Sequence, residues 1–536
     1  MKKLKPAGPA LLTAVLLYLS SPGPGYGCLA WLGLLPLLYL CQTEKPAHAA
    51  RWGFFSGFLY HLALLYWIVI VLGKYGNLPL LLTLPALILL AAYMGLYLAF
   101  FSAIMSWSMP VVPPVWTAPL VWVSLDYVRG LLFSGFPWQD LGYSQFLFPE
   151  VIQIADLAGH HSITFLIVLV NGLLFTLLSS ASSLKMGQKS RKWHHAVPAL
   201  CLIAAASVYN QQRLKQISAD MNEKTVKLAV IQGNIEQDQK WLPENTKKAL
   251  DNYIDLSKKF LSAQYADLLI WPETALPFCP VDHPLFAELI KNLILENKVN
   301  LLCGAPIYTI DDSSNITIYN SGLLVTEKGI DDLYFKQHLV PFGEYIPLPN
   351  LLPFPKPLVE TMGNFSAGKS ARPLTSGIIR AGTLICYESI FPELARKTVQ
   401  DGANLLVNIT NDAWFGRSSA PVQHFSMAVL RAVENRRSLA RAANTGISGF
   451  IDPAGRVISQ SPLFETYYLN AEVPLLENLT FFSRYGHLFP KACCLLLLPA
   501  LLLIRRKRSQ FHKNLGFFPV IGYDPATKTK IKQVLV

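Results

Sequence analysis

Seven apolar runs crowd into the chain before Arg213 and an eighth lies near its end: Pro9 to Leu19, Leu29 to Leu40, Phe54 to Leu72, Leu80 to Ile104, Val115 to Leu132, Ser162 to Leu178, Ala196 to Tyr209 and Phe489 to Ile504. A bilayer core has no water to satisfy backbone N–H and C=O groups, so such runs can cross it only as helices. Several are short against the ~20 residues a helix needs to span the hydrocarbon. Their number nevertheless predicts a multi-pass α-helical membrane domain of about eight spans. The composition agrees, with 52% hydrophobic and only 15% charged residues.

Lys2, Lys3 and Lys5 before the first run imitate a secretory signal, and Gly27-Cys28 imitates a lipidation cleavage site. A second apolar run follows at once, however, so both are expected to be retained as spans. The net charge of +12 could suggest nucleic acid, but much of it sits beside apolar runs: Lys185, Lys189, Arg191 and Lys192, then Arg505, Arg506, Lys507 and Arg508. Such clusters orient a membrane protein, and no basic stripe with interleaved aromatics is present, so no nucleic-acid partner is expected. With the N-terminus inside, alternation places the Lys/Arg-rich loops Gln42 to Arg51 and Ser182 to His195, and the tail after Arg505, in the cytoplasm. Ser134 to His161 and Arg213 to about Ser483 then fall outside.

In the outer loop, Gly135-Phe136-Pro137-Trp138 lies near the membrane surface, where Trp is commonly an interfacial anchor. Asp126 and Arg129 stand in an otherwise apolar span, as a structural ion pair or part of a site. The eight cysteines are scattered, without zinc spacing. The pairs His160-His161 and His194-His195 are adjacent rather than four apart on one helix face. No metal is expected.

From Val226 the texture changes to short apolar strands alternating with amphipathic stretches, the pattern of an α/β domain. Strands are expected at Val226 to Ile231, Ala266 to Trp271, Asn300 to Ile307, Ile318 to Val325, Asp332 to Phe335, Ile378 to Ile385, Ala403 to Ile409 and Gly446 to Ile451, with an edge strand around Val457. Helices are expected at Asn245 to Ser262, Pro284 to Glu296, Pro392 to Gln400 and Val422 to Ala443.

Chemistry-bearing residues collect at three strand ends. Leu269-Ile270-Trp271-Pro272-Glu273 delivers a carboxylate. Tyr334-Phe335-Lys336, continuing to Glu344-Tyr345, delivers an ammonium and, past a turn, a second carboxylate. Leu384-Ile385-Cys386-Tyr387-Glu388 stops an apolar strand at a thiol, with helix-start signals at Ser389, Pro392 and Glu393. A thiol at a strand-to-helix turn is expected to have its pKa lowered by the helix dipole. Each residue alone reads as a buried small hydrophobe or a solvated charge. Together, a carboxylate can take the thiol proton, the thiolate attack an ester carbonyl and an ammonium stabilise the oxyanion, leaving a thioester.

Glu, Lys and Cys in this order, with Gln232-Gly233-Asn234 before them and Asn408-Ile409-Thr410-Asn411-Asp412-Ala413-Trp414-Phe415-Gly416 after, resemble the nitrilase superfamily. With a helical domain before and one span after, the chain resembles the apolipoprotein N-acyltransferase family over roughly Met1 to Arg508. That resemblance implies a nitrilase-like α-β-β-α sandwich and a catalytic set of Glu273 as general base, Lys336 as oxyanion-stabilising lysine and Cys386 as nucleophile. It implies supporting or substrate-binding roles for Glu344, Tyr387, Glu388, Trp241 and Trp138, and no cofactor. The implied partners are a phospholipid acyl donor such as phosphatidylethanolamine and, as acceptor, the α-amino group of a diacylglyceryl-cysteine on an apolipoprotein, used by a monomer in the bacterial inner membrane. The expected division is residues 1–212 for the membrane domain, 213–483 for an extracytoplasmic catalytic domain, 484–508 for a final span and 509–536 for a cytoplasmic tail.

The proline- and leucine-rich stretch Ile346 to Gly368 is the expected lid. Two other readings remain at this stage: a membrane-tethered amidase with water as acceptor, and a non-catalytic scaffold or transporter. The intact Glu273, Lys336 and Cys386 set disfavours the scaffold, and the lack of broken-helix repeats disfavours the transporter.

Overall fold

The computed structural model describes residues 5–181, 186–221, 224–240, 243–312, 314–345 and 365–514. Trp241, most of the expected lid (346–364) and nearly all of the tail lie outside these residues.

Among the described residues three helices are long and apolar enough to cross a membrane, Leu80–Ser108, His160–Ser179 and Leu488–Gln510. Pro46–Leu64 and Trp67–Tyr75, bent by 48° at a short break, make a fourth if the pair is one span. The expectation of about eight spans exceeds this count. The shortfall is largely one of length: Ala7–Ser20 has 14 residues and Pro114–Arg129 has 16, whereas crossing takes ~20 at 1.5 Å per residue. The second expected span is a one-turn helix, Gly27–Trp31, followed by Leu35–Thr43.

Among the described residues the α/β domain holds two six-stranded sheets. Its strands are β1 (Thr225–Gln232), β2 (Leu268–Ile270), β3 (Asn300–Ile310), β4 (Ile316–Thr326), β5 (Gly329–Phe335), β6 (Leu374–Ser376), β7 (Ile379–Ile385), β8 (Leu405–Thr410), β9 (Ser438–Ala443), β10 (Gly449–Ile451), β11 (Val457–Gln460) and β12 (Tyr467–Pro474). One sheet runs β12-β1-β2-β3-β4-β5 and the other β11-β10-β9-β8-β7-β6. The strands β1, β2 and β3 are parallel, as are β7, β8 and β9. Each parallel connection returns through a helix, which places helices on the outer face of each sheet. Val226, Leu228, Val230, Ile270, Leu302, Ile385, Val407 and Ile409 fill the space between the sheets. Helices Pro243–Leu261 and Pro284–Asn297 cover the first sheet through Leu250, Tyr253, Leu293 and Ile294.

The second sheet's outer layer, helices Pro392–Gln400 and Ala420–Asn435, joins one continuous apolar cluster with the membrane helices. Polar contacts pin that junction. Trp138 and Trp67 donate their indole N–H to Gln423 Oε1 at 2.8 and 3.2 Å, and Arg436 pairs with Asp156 at 2.9 Å. Trp138 is therefore a buried linchpin between the domains and not an interfacial anchor.

The expected helix Val422 to Ala443 is two elements. The helix stops at Asn435 because Arg436 takes a left-handed conformation with φ of +50°. After Arg437 the six residues Ser438–Ala443 form β9, hydrogen-bonded between β8 and β10. Ser-Leu-Ala-Arg-Ala-Ala has good helix propensity, and its place inside the sheet overrides it. The strands β6 and β12 were likewise not expected.

Candidate active site

Glu273, Lys336 and Cys386 arrive from different strands at one end of the sandwich. Glu273 follows β2 in a turn whose next residue, Thr274, has φ of +45°. Gly304 on β3 permits this turn: a Cβ there would lie 2.5 Å from Thr274 N and 2.6 Å from Glu273 Cα. Lys336 follows β5, held by its N–H to Asn320 O at 2.9 Å and by its carbonyl, which accepts from Gly368 N at 2.7 Å. Cys386 closes β7 with φ of +51°, a strained conformation for a residue with a Cβ.

The carboxylate of Glu273 is fixed at both oxygens. Asn320 Nδ2 donates to Oε1 and Asn411 N donates to Oε2, each at 2.8 Å. Lys336 Nζ stands 3.6 Å from Glu273 Oε1 and 2.8 Å from Glu344 Oε1, and Asn320 Nδ2 also reaches Glu344 Oε1 at 3.0 Å. Burial disfavours the charge on Lys336, but Glu344 and then Glu273 outweigh it and hold the amine above the ordinary lysine range.

The thiol behaves differently from the dipole expectation. Burial pushes Cys386 well above the ordinary range, the Glu273 carboxylate adds to this, and Lys336 offsets only part. The element that follows is one short turn, Cys386–Ile390, and the α-helix proper begins only at Pro392. A dipole that acts within a helix's first turn has little hold on the sulfur. Burial thus disfavours the thiolate at Cys386, and the Lys336 ammonium is the neighbouring charge that favours it.

Glu388 is buried and joins the lysine loop to the cysteine strand. It accepts from Gln337 N at 2.6 Å, His338 N at 3.1 Å, Ile385 N at 2.7 Å and the Tyr334 hydroxyl at 3.1 Å. Burial pushes its carboxyl up to about 7 against the pull of those N–H groups. Tyr387 donates weakly to Gly135 O at 3.5 Å and meets Phe391 edge-on at 5.1 Å. Trp138 stacks 6.1 Å from His424, which reaches Cys386 O at 3.1 Å. Trp241 lies outside the described residues.

Sequence reasoning missed Asn320, Asn411 and His424 as individual residues. Asn320 was detectable as an amide on the inward face of an apolar strand, and Asn411 lay inside a quoted motif. His424 carried no local signal.

Asp140, His160 and His161 bring donor atoms within 4.8 Å of one another. Both oxygens of Asp140 have protein partners, Arg129 and His160, and the other nitrogen of His160 meets Glu434 at 3.2 Å. The cation there is the Arg129 guanidinium, which also stands 3.3 Å from Asp126. The expected intramembrane pair is therefore part of a larger buried network at the domain junction.

The two-sheet domain falls in the carbon-nitrogen hydrolase class, whose family model matches residues 227–477. The preceding helices match the apolipoprotein N-acyltransferase N-terminal domain over residues 13–173. The chain is 42% identical over 486 residues to the apolipoprotein N-acyltransferase of Geobacter metallireducens, covering 90% of this chain and 92% of that one. It is 31% identical over 489 residues to that of Pasteurella multocida, covering 89% and 91%. This chain belongs to the apolipoprotein N-acyltransferase family. Among solved structures, Saccharomyces cerevisiae Nit3 of the nitrilase superfamily is similar over 47% of this chain and 90% of its own, at 20% identity and a TM-score of 0.37.

Proposed function

We propose that this chain is a membrane-embedded N-acyltransferase that moves a fatty acyl group from a phospholipid to the N-terminal α-amino group of a diacylglyceryl apolipoprotein. The carrying observation is the half-buried Cys386 thiol beside the Lys336–Glu273 pair, in a domain whose helix layer is packed into the membrane half.

Glu273 takes the thiol proton as Cys386 attacks the donor's ester carbonyl. Lys336, held by Glu344, stabilises the oxyanion, and Glu273 passes the thiol proton to the ester oxygen of the departing lysophospholipid as the C–O bond breaks. The amine of the apolipoprotein then attacks the thioester, Glu273 takes the proton that the amine loses, and it delivers that proton to the leaving Cys386 thiolate as the C–S bond breaks. A neutral resting thiol suits this order, because it stays unreactive until an ester is seated. The same reading places about eight spans in the bacterial inner membrane, the catalytic domain on the periplasmic side, the residue divisions 1–212, 213–483, 484–508 and 509–536, and a monomer as the working unit.

Intact-mass measurement after incubation with phospholipid alone tests it. The expected result is one added acyl chain on Cys386, discharged by an apolipoprotein and absent in Cys386→Ala. Transfer only in the presence of both substrates, with no trapped thioester, would overturn the covalent route; discharge to free fatty acid alone would make the chain a hydrolase.

A further inference from the structure

A buried lysine behind Glu273 has no place in that mechanism. Lys240 ends the short helix Gln237–Lys240, is fully buried, and donates to Glu273 O at 3.1 Å and Thr274 Oγ1 at 2.8 Å. The same helix reaches the carboxylate from its other side: Gln237 Oε1 accepts from Asn411 Nδ2 at 2.6 Å, and Asn411 N donates to Glu273 Oε2. A buried ammonium is costly unless its environment uses it. Both acceptors belong to the left-handed turn that aims Glu273, and neither is a carboxylate. Burial pushes the amine down to about 7, with Glu273 the charge that opposes the fall.

We infer that Lys240 is a positioning residue for acyl transfer: by tying the Glu273–Thr274 turn to the helix Gln237–Lys240, it aims the Glu273 carboxylate at the Cys386 thiol. Its hydrogen bonds go to the turn's own oxygens, Glu273 O and Thr274 Oγ1. This inference rests on the proposed roles of Glu273 and Cys386.

The test is single-turnover thioester formation on full-length enzyme in phospholipid-free detergent, started with a phosphatidylethanolamine of defined chains and read by intact mass. Lys240→Met is expected to lower the maximal acylation rate about 10- to 100-fold, the scale on which misplaced catalytic groups act, with the half-saturating lipid concentration unchanged. Lys240→Gln, which can still donate to both oxygens, should recover most of the loss. Thr274→Val removes one acceptor at constant shape and should slow the same step several-fold, so it decides the matter if Lys240→Met fails to fold. A folded Lys240→Met with the wild-type rate, Lys240→Gln as slow as Lys240→Met, or an unaffected Thr274→Val overturns the inference. Wild-type enzyme that forms no thioester would instead sink the underlying mechanism.

Discussion

Lys336 Nζ lies 2.8 Å from Glu344 Oε1, closer than to Glu273, so the ammonium is anchored by a carboxylate other than the proposed base. Glu273 is left to its two amide partners and to the thiol proton. Glu344→Gln should keep a hydrogen-bond acceptor for Lys336 while removing the charge that holds it. The ammonium is then expected to swing toward Glu273, with acylation slowed on the order of 10²-fold, as for loss of one oxyanion donor. Single-turnover rates check this, and a rate within threefold of wild type would leave Glu344 without this role.

The raised thiol pKa sets a pH profile. A thiol above the ordinary ~8.5 has less thiolate at pH 8 than a free cysteine, so alkylation of Cys386 by iodoacetamide should climb through pH 9 without a plateau. Lys336 favours the thiolate, so Lys336→Met should displace the profile further upward. Mass spectrometry at Cys386 reads both, and a plateau near neutrality would restore the helix-dipole expectation.

Glu388 accepts from three backbone N–H groups in two segments. Glu388→Gln turns one acceptor oxygen into a donor facing a donor. A loss of about 2–3 kcal/mol is expected, the scale for hydrogen bonds to a charged group. A lower melting temperature of the catalytic domain and a disordered lysine loop should accompany it. Unchanged melting would show that the loop and strand are joined by other contacts.

The strand ends carrying Glu273, Lys336 and Cys386 were legible because an apolar run that stops at a charged or nucleophilic residue has few structural explanations. The helix Pro392–Gln400 was legible from its proline start. What escaped was decided at long range. Residues 438–443 carry helix-forming side chains, and only the open edge of β8 makes them a strand. Trp138 looked like an interfacial anchor because nothing nearby in sequence announces Gln423, its hydrogen-bond partner 285 residues further along the chain. The spans were hard to count because an apolar helix of 14 residues and a true crossing share one composition.

Orientation has its own check. In a background with the exposed Cys28 and Cys201 replaced by serine, Ser262→Cys in the catalytic domain should react with a membrane-impermeant thiol reagent added outside, after permeabilising the outer membrane. Ser509→Cys, beside the basic cluster, should react only after lysis. Reversed accessibility would invert the proposed topology.

Beneath Cys386 the chain builds a second arrangement that imitates a hydrolase triad. Ser389 Oγ lies 2.9 Å from His424 Nε2, and His424 Nδ1 lies 3.0 Å from Asp412 Oδ1. Distances alone would nominate Ser389 as a nucleophile. Burial argues otherwise: all three side chains are fully enclosed, and the Ser389 hydroxyl is turned to Cys386 O at 3.1 Å. Arg441 donates to Asp412 Oδ2 at 2.8 Å, and with His424 holds that carboxyl below the ordinary range despite its burial. The network therefore supports the strained cysteine turn and performs no attack of its own. Ser389→Ala should cost about 1 kcal/mol of stability, the worth of one neutral hydrogen bond, and leave thioester formation within a few-fold. Asp412→Asn strips a buried cation of its partner and should cost about 3–5 kcal/mol, with acylation lost because the turn collapses. A fluorophosphonate should leave Ser389 unlabelled under conditions in which iodoacetamide labels Cys386. Labelling of Ser389, or acyl transfer surviving in Cys386→Ala and vanishing in Ser389→Ala, would assign the chemistry to the serine.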